Sequence, residues 1–239
     1  MKAVIQAGGK GTRLRPYTFV LPKPLMPVGD LPVIEMLLKW LRRWGVKETF
    51  ITIGYLGHLI RALCKDGGQW GMEIRYSEEK EALGTVGALR LLDGQLTETF
   101  LTVNGDLITD IDLRAFRNFH KRCGGLLSVA VTEKNVKVDL GVLECQGDLM
   151  TEFREKPVMK FKVSMGIYCM EPSVLDLIPE GVPFGFDDLV NEMIEQKMPV
   201  HVFEHSGLWL DIGREEDFMN AQKILRQSTN QPCWDGDNV

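Results

Sequence analysis

The chain has 239 residues, 44% of them hydrophobic and 26% charged, with a formal net charge of −5. That length and apolar fraction support one large α/β domain with a sizeable core, and the acidic balance argues against a general nucleic-acid binder, which carries a basic excess. Its five cysteines (Cys64, Cys123, Cys145, Cys169 and Cys233) form no C-x-x-C pair, no signal peptide precedes Lys2, and no apolar run approaches the roughly 20 residues of a bilayer span, so a soluble, cytoplasmic protein with reduced thiols is expected.

The first predicted element is a buried strand from Ala3 to Ala7, running into Gly8, Gly9 and Gly11. Glycines there let backbone N–H groups approach an anion that any Cβ would crowd, and Arg13, Arg15 and Lys23 add fixed positive charge beside them. A triphosphate is the expected guest. A dinucleotide fingerprint fails because Leu14 stands where the third glycine belongs, and a Walker loop fails because Lys10 is followed by Gly11.

Pro32 to Trp44 has the spacing of an amphipathic helix, with Ile34, Leu37, Leu38 and Leu41 on one face and Gly45 as its stop. A strand at Thr49–Ile53, a helix at Leu56–Cys64 and a strand at Glu73–Tyr76 follow. Such alternation predicts a mostly parallel sheet. Gly84 and Gly87 open a helix expected to run to Leu92, whose free N–H groups a ligand could approach. Phe100–Asp106 reads as a buried strand ending in a carboxylate, which places Asp106 where ligands gather in open α/β sheets. Asp110 and Asp112 read as caps of a helix running to Arg122.

From Leu126 the pattern is strand-rich, with candidates at Leu127–Val131, Gly141–Cys145, Met150–Phe153 and Lys162–Cys169. On its own, Glu155-Lys156 reads as a solvated surface pair. Phe186–Gln196 is predicted helical with Leu189, Val190, Met193 and Ile194 inward, and Val200–Glu204 extended. His201 and His205 in extended chain do not share the face that metal ligation four residues apart requires, and read as incidental. Arg214–Arg226 is a closing helix, and residues 229–239 form a polar tail expected to fray.

Two linked blocks, G-G-x-G-T-R-L-x-P-x-T over Gly8–Thr18 and P-K-P-L-x-P over Pro22–Pro27, resemble the signature of the sugar-1-phosphate nucleotidyltransferases, the nucleoside-diphosphate-sugar pyrophosphorylases. The L-G-T-x-G-A block at Leu83, the N-G-D block at Asn104, Glu155-Lys-Pro and Trp209-Leu-Asp-Ile-Gly extend the resemblance over about residues 1–226. It implies a single Rossmann-like catalytic domain over residues 1–228, a mostly parallel mixed sheet flanked by helices. No short-period repeat suggests an appended β-helix.

The resemblance implies Arg13 and Lys23 as catalytic residues, with Ala7, Gly8, Gly9, Gly11, Thr12, Leu83, Gly84 and Thr85 at the nucleotide. It implies Asn104, Gly141, Glu155, Lys156 and Gly166 at the sugar phosphate, and Asp106 and Asp211 on Mg²⁺. The implied partners are an NTP and a sugar 1-phosphate, GTP with mannose 1-phosphate first and UTP, CTP or dTTP with glucose, amino-sugar or heptose 1-phosphates as alternatives. A homodimer is the candidate assembly, with neither nucleic acid nor membrane as a partner. A non-catalytic nucleotide-sugar sensor is the rival, disfavoured because Arg13, Lys23, Asp106, Lys156 and Asp211 are all retained. Two departures stand out: Ser164-Met165 replaces the usual Asn-Ala, and Gln6 stands where Leu is common. Gln6 is either a satisfied buried glutamine or a contact to the base.

Overall fold

The structure is a computed structural model that describes residues 1–227; the 229–239 tail, for which fraying is expected, lies outside the described residues. Along the chain run β1 (Lys2–Ala7), β2 (Pro27–Val28), β3 (Leu31–Pro32), α1 (Val33–Arg43), β4 (Glu48–Ile53), α2 (Gly57–Cys64), β5 (Glu73–Glu78), α3 (Gly84–Gly87), β6 (Phe100–Asn104), β7 (Leu107–Thr109), α4 (Leu113–Cys123), β8 (Leu127–Lys137), β9 (Val142–Gln146), β10 (Leu149–Arg154), β11 (Val158–Met170), α5 (Phe186–Glu195), β12 (Val200–Glu204), β13 (Trp209–Asp211) and α6 (Glu215–Gln227).

Seven strands form the central sheet in the order β12-β8-β11-β6-β1-β4-β5. Every neighbouring pair is parallel except those of β11, which runs antiparallel to both β6 and β8. From β1 the chain builds outward through β4 and β5, then returns to β6 on the other side of β1. That reversal opens a crevice at the carboxyl ends of β1 and β6, where ligands of open α/β sheets bind. Alternation along β1 sends Ala3, Ile5 and Ala7 into one apolar cluster and Val4 into the other, so the strand is covered on both faces. α1 buries Ile34, Leu37, Leu38 and Leu41, the predicted stripe, against the first cluster.

Several elements differ from their sequence expectation. The helix from Gly84 is one α turn, continued to Leu92 as a 3-10 helix. The Phe184 carbonyl accepts from the N–H groups of Val86 (3.1 Å) and Gly87 (3.0 Å), so these two helix-start donors are not free for a ligand. Gly84, at φ +78°, is required because a Cβ would lie 2.7 Å from that same carbonyl oxygen. In α5, Leu189 and Met193 are buried but Ile194 is 61% exposed, because it falls on the opposite side of the turn. Asp112 caps α4, its Oδ1 accepting from the Ala115 N–H at 2.8 Å. Asp110 does not cap; its Oδ1 lies 2.9 Å from Nε2 of His205, which gives that histidine a structural partner.

A buried polar network ties α4 to the sheet. His120 Nδ1 lies 2.8 Å from Ser128 Oγ, its Nε2 lies 3.2 Å from Glu171 Oε1, and the Thr99 hydroxyl donates to the same oxygen at 2.7 Å. Burial lowers the His120 pKa from its ordinary 6.5, against the opposing pull of Glu171. The folded state therefore binds this proton less readily than the unfolded state. Its stabilising contribution is complete above about 6.5 and is lost as pH falls through the lowered folded value. His120→Gln is expected to flatten the loss of melting temperature between neutral and acid pH relative to wild type, measured by calorimetry.

Candidate active site

The glycine loop leaves β1 at the crevice and is pinned from behind. The Leu14 N–H donates to the Gly11 carbonyl at 2.9 Å, and the Thr18 hydroxyl donates to it at 2.8 Å. Gly11 is left-handed, φ +59°, and a Cβ there would lie 2.9 Å from Thr18 Cγ2. At Gly8 a Cβ would collide with the Glu79 carboxylate. These glycines therefore bring the backbone closer to its surroundings than any side chain permits. Leu14, 1% exposed, anchors the turn in the core and leaves Arg13 exposed above it.

Opposite the loop, β6 ends in Asn104-Gly105-Asp106. The Gly105 N–H donates to the Gln6 carbonyl at 2.9 Å, and a Cβ on Gly105 would sit 2.7 Å from that oxygen. This close crossing delivers Asp106 to the lip of the crevice, where its Oδ2 accepts from Lys23 Nζ. Both partners are largely shielded, with side chains 14% and 15% exposed. The small β7–β13 sheet then brings in the second carboxylate: Asp211 pairs in register with Leu107, and the Ile212 N–H donates to the Asp106 carbonyl at 3.1 Å. Burial, and after it the neighbouring Asp106 charge, push the Asp211 carboxyl above its ordinary range, while Lys23 pulls it down. Oδ1 of Asp211 is buried with no hydrogen-bond partner.

A cavity of about 420 Å³ lies between these elements. Of the predicted residues, Ala7, Gly8, Gly9, Gly11, Thr12, Arg13, Lys23, Gly84, Thr85, Asn104 and Asp106 line it. Leu83, Gly141, Glu155, Lys156, Gly166 and Asp211 do not. Leu83 is turned to the framework, its N–H donating to Glu79 Oε2 at 3.0 Å and its carbonyl accepting from Phe184. Gly166, at φ +71°, backs Asn104, whose Nδ2 would be 2.5 Å from a Cβ. Asp211 sits behind Gly213, which does line the cavity. Gly141 packs on Phe153, and Glu155 and Lys156 lie in the turn between β10 and β11.

The sequence reading missed Pro24, Thr52, Glu79, Ala82, Gly105 and Gly213 as lining residues. Glu79 follows β5 directly, so the strand-end rule that found Asp106 could have found it. Burial raises the Glu79 pKa, and the Leu83 N–H opposes the rise. Gln6 also lines the cavity: Nε2 donates to the Thr85 carbonyl, while Oε1 is buried and unpartnered. That bond uses one of the two amide N–H groups and leaves the second N–H and the shielded carbonyl oxygen without a partner among the described residues.

The donor set suits a hard divalent cation. Among the described residues no three His, Cys, Asp or Glu side chains cluster as a complete metal site, but two adjacent carboxylates, one oxygen of them unpartnered, match an ion that completes its shell with water and substrate phosphate oxygens.

A family model described as Nucleotidyl transferase matches residues 2–228. Among curated proteins, a UTP--glucose-1-phosphate uridylyltransferase of Synechocystis sp. is 32% identical over 92% of this chain and 62% of its own length. A mannose-1-phosphate guanyltransferase of Debaryomyces hansenii is also 32% identical, over 92% of this chain and 63% of its own. The chain thus spans somewhat under two thirds of these relatives. A crystal structure described as a glucose-1-phosphate thymidylyltransferase of Bacillus anthracis, in complex with a sucrose, superposes with a TM-score of 0.76 at 26% identity, covering 95% of this chain and 96% of the other.

Proposed function

The chain belongs to the nucleotidyl transferase family, and from that premise we propose that it transfers a nucleoside monophosphate from an NTP to a sugar 1-phosphate, releasing pyrophosphate. The observation that carries this reading is the gathering of Lys23, Asp106 and Asp211 at the mouth of a glycine loop. A phosphate oxygen of the sugar 1-phosphate attacks the α-phosphorus in line; that P–O bond forms as the bond to the bridging oxygen breaks, and its electron pair leaves with pyrophosphate. The attacking phosphate is already ionised at neutral pH, so no general base is needed. What the protein supplies is alignment of two mutually repelling polyanions and neutralisation of charge as it moves.

In this reading the glycine loop and Arg13 cradle the nucleotide phosphates, and Lys23 exchanges its pairing with Asp106 for a phosphate oxygen. Lys156 holds the sugar phosphate. Asp106 and Asp211 hold Mg²⁺, which when bound polarises phosphoryl oxygens as a Lewis acid. Two residues of the cavity lining favour guanine as the base in this reading. Gln6 and Glu79 both line the cavity, and an amide carbonyl and a carboxylate are acceptors of the kind that the adjacent N1–H and N2–H donors on one edge of guanine require. Mannose 1-phosphate is the proposed co-substrate, in keeping with the Debaryomyces relative; the Synechocystis relative keeps UTP with glucose 1-phosphate as the second reading.

The test is pyrophosphate release with Mg²⁺ across GTP, UTP, CTP, dTTP and ATP against mannose, glucose, N-acetylglucosamine and heptose 1-phosphates. Turnover with GTP and mannose 1-phosphate is the expected result. Activity in another cell corrects the substrate pair, and silence from protein that still binds nucleotide overturns the activity. Gln6→Leu is expected to lower kcat/KM for GTP by about tenfold, the loss of one base hydrogen bond, with a smaller loss for UTP.

A further inference from the structure

The single turn of α3 carries Thr85, whose carbonyl accepts from Gln6 Nε2 at the cavity. One helical turn is too short to hold its own conformation in water, so its orientation comes from what packs against it. Phe184 and Phe186 do this along their backbone. The Phe184 N–H donates to the Leu83 carbonyl at 2.8 Å, the Phe184 carbonyl accepts from Val86 and Gly87, and the Phe186 N–H donates to the Thr85 hydroxyl at 2.9 Å.

That segment is in turn seated on the central sheet. The Phe186 ring stacks on Tyr168, with ring centroids 4.0 Å apart and planes 23° from parallel. Tyr168 is buried in β11, in register with Thr102 of β6 and Val129 of β8, which makes it a fixed reference. Its hydroxyl lies 3.3 Å from Ser164 Oγ, which also accepts from the Gly166 N–H at 3.3 Å. Contacts therefore run without a break from Ser164 through Tyr168, Phe186 and Thr85 to Gln6. Gln6 and Ser164, the two ends, are positions at which the sequence departs from the pattern it resembles. Of the five residues, Gln6 and Thr85 line the cavity and the other three stand behind it.

The two ends of a glutamine amide have nearly the same size and shape, so hydrogen-bond partners decide which is the carbonyl and which the NH₂ end. For Gln6 that partner is the Thr85 carbonyl; with it displaced, no bond among the described residues distinguishes the two orientations. We propose that Tyr168 and Phe186 are positioning residues that fix the orientation of the Gln6 amide through Thr85. Resting on the reading that Gln6 meets the base, the consequence is that a ring stack outside the cavity sets the preference between nucleobases.

In amide NMR spectra of the full chain, the side-chain NH₂ pair of Gln6, identified by its loss in Gln6→Leu, is expected to show two well-separated protons, because one is bonded and the other is not. Phe186→Ala, with an unchanged circular dichroism spectrum, is expected to bring them together, and Phe186→Tyr, which keeps a ring on Tyr168, to restore the separation. Tyr168→Leu removes the stack from the other side and is expected to act like Phe186→Ala. An unchanged NH₂ pair in either of these variants, once it is shown to be folded, overturns the proposal. Calorimetric binding of GTP and of UTP, without sugar phosphate, reads the consequence for the base. Phe186→Ala is expected to weaken GTP by about tenfold and UTP by less, and to add less than about twofold for GTP in the Gln6→Leu background. Full additivity of the two substitutions overturns the proposal. If Gln6→Leu leaves both affinities unchanged while Phe186→Ala still releases the amide, the positioning stands and the base reading falls, so the two can fail separately.

Discussion

Lys23→Ala is expected to lower turnover by about a thousand-fold while the protein remains folded. Lys23 is the cation at the crevice lip already in contact with the acidic pair, through Asp106 Oδ2, and an electrostatic group aimed at developing charge is worth about 10²–10³ in rate. Loss of rate alone would not separate chemistry from structure, because the substitution also leaves Asp106 shielded beside Asp211 with no cation between them. Such an unpaired charge costs about 1–3 kcal/mol. Asp106→Asn in the Lys23→Ala background should therefore recover the melting temperature and leave turnover low. Near-wild-type kcat in folded Lys23→Ala would remove this residue from the reaction.

Asp211→Asn is expected to act in opposite directions on stability and on function. In metal-free protein the Asp211 carboxylate is held above its ordinary pKa by burial and by Asp106, so ionising it works against folding. The neutral amide removes that conflict, and a gain of about 1 kcal/mol should raise the melting temperature by about 2–4 °C in a chain of this size. The sign with pH follows. Wild type regains this stability as falling pH protonates the carboxyl, whereas the variant holds it at every pH. Turnover should fall by a factor comparable to that for Lys23→Ala. Mg²⁺ alone, without substrate, should raise the melting temperature of wild type more than that of the variant. Equal Mg²⁺ stabilisation of both proteins would take Asp211 out of the metal site.

Local signals made much of the architecture legible. The apolar run of β1, the stripe of α1 and the carboxylate closing β6 each depend on a window of a few residues, and they stand where their patterns put them. The glycines at 8 and 11 also stand where a Cβ does not fit, Gly8 against Glu79 and Gly11 in a left-handed turn against Thr18. Boundaries in the second half were less so: β8 and β11 are longer than their apolar cores because pairing with each other, and not burial, extends them.

The tertiary structure alone decided which distant groups meet. Lys23 reaches Asp106 across 83 positions of sequence, and Asp211 comes beside Asp106 only because β13 pairs with β7. The Phe184 carbonyl takes two of the N–H groups, those of Val86 and Gly87, that the glycine spacing predicts as open to a ligand. Glu79 and Gln6 come to one cavity through contacts with Gly8 and Thr85, and Ala7 and Gly8 line that cavity while Glu155 and Lys156 lie in the turn between β10 and β11. By itself the sequence determined the strand-to-loop pattern and the chemical types at the crevice, because conformational preference and side-chain chemistry are properties of single residues and their near neighbours. The fold decided the partners, because the free energy of a contact between remote segments depends on how the whole chain packs, which no local window contains.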